Sequence, residues 1–160
     1  MNFVEASKTV AVLDENLLVS QTHSPVIDTI GFAHASIDVV FEKVAAAGTA
    51  AAVASVLKLQ QGNGTTYTDI AAFVGGTSFT IPTPPNTTSD NVVRFDIDLK
   101  GQQGRYLRVL ASGAATGSIY TVARLSKYEQ APNDAASKGA IRAISGQLGV
   151  ALSPDTTFVS

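Results

Sequence analysis

Asp96 and Asp98 stand two residues apart in NVVRFDIDLK. In an extended chain that spacing puts both carboxylates on one face, where the carboxylate pair of a glycosidase or a calcium site could use them. Arg94 and Lys100 fall on that same face, so a solvated ladder of alternating charge is the simpler reading. His23 and His34 have neither a second histidine nor an acid at H-x-x-x-H or H-x-E spacing, and the chain has no cysteine. A zinc site would need carboxylates from distant segments. No G-x-S-x-G elbow occurs, and no serine has a His-Asp context to activate it.

Gly62-Asn63-Gly64, in LKLQQGNGTTYTDI, looks most like a motif. A phosphate loop needs a helix behind it, so that free N–H groups face the anion. The residues after Gly64 are instead TTYTDI, whose β-branched and aromatic side chains predict a strand. The expectation is a hairpin corner, with Asn63-Gly64 as a type I′ pair. In RYLRVLAS, Arg105 and Arg108 are expected on opposite faces of one strand. They could then form no single anion clamp, and one would pair with a carboxylate at the sheet edge. There is no tryptophan, so a sugar platform would have to come from Tyr67, Tyr106, Tyr120 or Tyr128; tyrosine in strands more often serves packing. No catalytic, cofactor-binding or metal-ligating residue is assigned, and the chain reads as a non-enzyme.

The elements that would position these residues alternate with a period of two. Ile37, Val39 and Phe41 share one face against Asp38 and Glu42, and Val93, Phe95, Ile97 and Leu99 point inward against Arg94, Asp96, Asp98 and Lys100. Further strands are expected at 53–60, 65–70, 78–81, 105–111 and 118–126, with TVAVL and LLVSQ near the start. Turn-formers separate them at 62–64, 75–76, 82–90, 101–104 and 112–117. This predicts an all-β fold, an antiparallel two-sheet β-sandwich of jelly-roll or immunoglobulin-like type. The missing crossover helices exclude a doubly wound α/β fold. The segment 45–55 reads as a loop running into a strand, and 81–91, with three prolines, as an exposed loop. Residues 1–31 read as an N-terminal arm, 32–128 as the sandwich core and 129–160 as a C-terminal arm. In that last arm Asn133 or Asp134 could cap a short helix with Ala140, Ile141 and Ile144 as its apolar stripe.

With 160 residues the chain can bury a core as one domain. Its formal charge of −2 gives no basic field, which argues against nucleic acid as a partner. The opening MNFVEASKTVAVLDENLL has neither a basic leader nor an unbroken apolar run, so the expectation is synthesis in a cytoplasm and no membrane partner. Only 15% of residues are charged, against roughly 25% in ordinary soluble domains. Such a surface suits burial against other subunits.

The run DTIGFAHASIDVVFEKV, VLKLQQGNGTTYTDI, VVRFDIDLKGQQGRYLRVLAS and ARLSKYEQAP resembles a group of small virion proteins of tailed bacteriophages, the capsid decoration or cement proteins. The family pattern has a DTxGF strand, then LxLQxSDDGTTYTDI, FDIDLRGRxRYLR and a strand ending near SRxExAP. The resemblance covers residues 28–132 and departs at Gln61-Gly62-Asn63-Gly64, where the family's acidic SDDG would stand. It implies a structural role in the virion, with the major capsid protein and further copies of the chain as partners, the homo-oligomer being read as a trimer. Terminal arms would then lie across seams of the shell. More weakly, the order of hairpin and RYLR looks like discoidin-type jelly-roll modules, which implies sugar or lipid binding. The alternatives are therefore a carbohydrate-binding module displayed on the virion, or a single jelly-roll capsid or tail component.

Overall fold

The computed structural model describes residues 7–17, 21–42, 53–83, 90–101, 104–113 and 117–128. These form nine strands and one short 3₁₀ turn, with no α-helix among the described residues. The strands are β1 (Lys8–Leu17), β2 (Thr22–His23), β3 (Val26–Asp28), β4 (Phe32–Phe41), β5 (Ala54–Gly62), β6 (Tyr67–Val74), β7 (Asn91–Asp98), β8 (Tyr106–Gly113) and β9 (Gly117–Tyr128). A four-stranded sheet runs β1-β9-β4-β7, and a five-stranded sheet runs β2-β8-β5-β6 with β3 also on β8. The strand pairs are antiparallel. The two sheets pack as a sandwich, as the alternation predicts.

The period-two pattern works by burial. In β4, Ala35, Ile37, Val39 and Phe41 are buried while the residues between them are not. Phe95 and Ile97 of β7 and Ile119, Ala123 and Leu125 of β9 complete the inner face of the first sheet; Ile27, Leu57, Leu59, Leu107 and Val109 come from the second. Each large apolar side chain so buried contributes roughly 1.5–3 kcal/mol. A slip of one residue would turn each set to solvent, which fixes the register.

Residues 8–17 and 22–28, parts of the stretch read as an arm, belong to the sandwich. β1 pairs with β9 from Lys8↔Leu125 onward, and β2 and β3 lie along β8. The sequence hides this because Pro25 breaks the strand pattern: lacking an N–H, it splits one edge strand into β2 and β3. Its carbonyl still accepts a hydrogen bond from Val109 N at 3.2 Å. The strand expected at 78–81 does not form: 76–78 turn, and Phe79 makes an isolated bridge with Gly75. Residues 129–160, including Asn133, Asp134, Ala140, Ile141 and Ile144, lie outside the described residues, as do 18–20, 43–52 and 84–89.

Candidate functional site

The outer face of the five-stranded sheet carries Arg105, Arg108, Tyr67 and Tyr106, with the Gly62-Asn63-Gly64 turn at its end. β5 and β6 form a hairpin whose loop is 63–66. It is not the expected type I′ turn, which needs positive φ at both central residues: Gly64 has φ +99°, whereas Asn63 is not among the positive-φ residues. Asn63 instead turns its side chain inward, and its Oδ1 accepts hydrogen bonds from Thr65 N (3.0 Å) and Thr66 N (2.9 Å). The glycines serve shape. A Cβ on Gly62 would lie 2.1 Å from the carbonyl oxygen of Thr66, and one on Gly64 would lie 3.2 Å from the Tyr106 ring. No helix follows, so the loop presents no N-terminal dipole to an anion.

Beside the loop is an open depression of about 590 Å³, with Asn63, Thr66, Thr68, Gly104, Arg105 and Tyr106 in its lining. Arg105 sits in the bend before β8, not in the strand. That places it on the same outer side as Arg108, contrary to the expectation of opposite faces. It makes a two-pronged pair with Asp28, at 2.8 and 2.6 Å, and its guanidinium lies 5.0 Å over the Tyr106 ring. Arg108 stacks over Tyr67 at 4.0 Å. Through Nε and Nη2 it donates to Gln60 Oε1, Gln60 Nε2 donates to Asp69, and Lys58 closes the chain on the other oxygen of Asp69 at 2.9 Å. Gln60, at 6% exposure, can be buried because both ends of its amide are satisfied. The Tyr67 hydroxyl is buried without a hydrogen-bond partner among the described residues. The Arg105 hydrogen bond holds the Asp28 carboxyl below its ordinary value, and Lys58, then Gln60, do the same for Asp69.

The outer face of the four-stranded sheet divides into a charged and an apolar part. Arg94 reaches across to Asp38, at 2.6 and 2.9 Å, and its hydrogen bond lowers the Asp38 pKa. Asp98 accepts from Lys100 N at 3.0 Å, and Asp96 stands opposite Ser36. The carboxylates of Asp96 and Asp98 thus lie along the solvent side of an edge strand. Farther along, Val92, Val40 and Tyr120 stand side by side in register. Val92 is 57% and Tyr120 40% exposed. This row escapes sequence reading because Val92 and Tyr120 are adjacent only through β4.

The two histidines are separate: His23 lies inside the sandwich, whereas His34 stands opposite Asp98 on the outer face of the four-stranded sheet. His23 is buried, its Nε2 2.9 Å from Thr121 Oγ1, a polar bond between the two sheets. His34 Nδ1 is 3.4 Å from Ser126 Oγ. No group of three potential metal ligands occurs among the described residues, and no described helix is long and apolar enough to cross a membrane.

Architecture and surface define an antiparallel two-sheet β-sandwich. No family model and no curated protein matches the chain. A chain from the Bacillus endospore appendages, described as forming a novel family of disulfide-linked pili, is similar at 14% identity over 75% of this chain and 86% of that one, with a TM-score of 0.34.

Proposed function

We propose that this chain is a non-enzymatic structural protein of a tailed-phage virion, a decoration protein that binds the outside of the capsid shell and stabilises it. The observation that carries the reading is the apolar row Val92, Val40 and Tyr120 on the solvent side of a regular sheet. Neighbouring apolar side chains on ordered strands form a surface suited to burial against another protein. The partner would be the major capsid protein. A protein that binds only assembled shell stabilises it by mass action, about 2.7 kcal/mol per site at a concentration a hundredfold above Kd.

The test is deletion of the gene from the phage that encodes it. Particles lacking the chain should lose resistance to heat and chelator, and adding purified chain back should restore it. Unchanged resistance would remove the stabilising role. A carbohydrate-binding reading draws on the depression beside 63–66. One face of Tyr106, and of nearby Tyr67, already carries an arginine, so those faces are not open to a sugar.

A further inference from the structure

The sequence of β7 is complementary to itself about Phe95, with Arg94 and Asp96 on either side of it. β7 is an outer strand of its sheet, and no described strand pairs with its far side. It pairs with β4 over eight consecutive positions, from His34↔Asp98 to Phe41↔Asn91, with no bulge and no proline. The other long edges are interrupted: β1 shifts register between Asp14 and Leu17, and the β5–β6 ladder shifts between Lys58 and Gln60. An unbulged edge strand presents a row of N–H and C=O groups able to take another strand.

Its side chains select the partner. We propose that β7 pairs antiparallel with β7 of a second copy of this chain, about a two-fold axis through Phe95. In that register Arg94 faces Asp96 of the copy, and Asp96 faces Arg94. Val93 meets Ile97 and Phe95 meets Phe95 on the buried side. Shifting the register by two residues would set Arg94 against Arg94, and like charges directly opposite are unfavourable. Asp96 is exposed and forms no ion pair of its own among the described residues, while Arg94 keeps its pair with Asp38. The pairing joins two four-stranded sheets into one. It does not depend on capsid binding, and it replaces the expected trimer with a two-fold pair.

The test uses the full chain in sedimentation velocity and light scattering. The expected result is a dimer that Asp96→Lys weakens about tenfold or more, since both symmetric contacts change sign together. The triple variant Asp38→Lys/Arg94→Glu/Asp96→Lys, which reverses both the internal and the intermolecular pair, should restore it. Should that variant fail to fold, cross-linking decides, because the chain has no cysteine of its own. Val92→Cys/Asp98→Cys should oxidise to a covalent dimer, these positions being directly opposite, and Val92→Cys/Asp96→Cys should not. A monomer at every concentration, a trimer, a dimer indifferent to Asp96→Lys, or the reverse cross-linking preference would each overturn the proposal.

Discussion

Asn63 turns its side chain back on the loop that carries it, and Oδ1 occupies two backbone N–H groups that would otherwise need water. Asn63→Ala should therefore cost about 1 kcal/mol in urea unfolding, within the usual range for a lost side-chain cap. Tyr67→Phe should do the opposite, because it removes a buried hydroxyl that has no hydrogen-bond partner among the described residues; the expected gain is about 1 kcal/mol. Asp28, Asp38 and Asp69 set the acid limit. Each has a folded pKa below the ordinary 3.8, so each contributes stability above its unfolded value that is lost as pH falls through the folded one. Thermal midpoints should stay level from neutral pH to about pH 5 and fall below about pH 4. Asp28→Asn should make that fall shallower. At this scale the turn itself was legible in Gly-Asn-Gly, since glycine there relieves a backbone clash. Its type was not, because a side-chain bond from Asn63 competes with the two-residue turn. Arg105 misled for a related reason: one residue of bend before β8 reverses the side on which it emerges.

Among the elements, β7 is held at its edge by aromatic rings. Phe95 meets Phe73 of β6 at 5.5 Å and Phe79 at 5.7 Å, both edge to face. This closes the side of the sandwich where the sheets' outer strands meet. Phe95→Ala should cost about 3–5 kcal/mol by denaturant titration, a large share of the stability of a single domain. On the inside, Thr121→Val should cost about 1–3 kcal/mol, because it removes the hydroxyl that meets the buried His23 ring. The strands with clean alternation, β4 and β7, were legible because one face of each is buried and the other is wet. β2 and β3 were not, since Pro25 leaves only short runs on either side of it, too short for a period to show. The inter-sheet bond of His23 gave no local signal either: its partner is 98 residues away.

For the whole molecule, the sandwich follows from strands that bury one face each, and the charge-poor composition agrees with the apolar row Val92, Val40 and Tyr120, exposed at Val92 and Tyr120. No pattern along the chain reveals that row, because its members are brought together by pairing across three strands. β9 is central to the four-stranded sheet, with β1 on one side and β4 on the other. A chain ended after Gly113 should therefore show no cooperative thermal transition, as judged by calorimetry. The β1–β9 ladder has a further consequence, in time. Lys8 meets Leu125, so the first long strand made must wait for the last. At roughly 5–20 residues per second, the hundred or so residues between them take on the order of 5–20 s to synthesise. During that interval β1 lacks β9, its neighbour among the described strands of its sheet, and non-local pairing of this kind folds slowly even once the chain is complete. Production in cells should therefore be limited by what the nascent β1 encounters before β9 emerges.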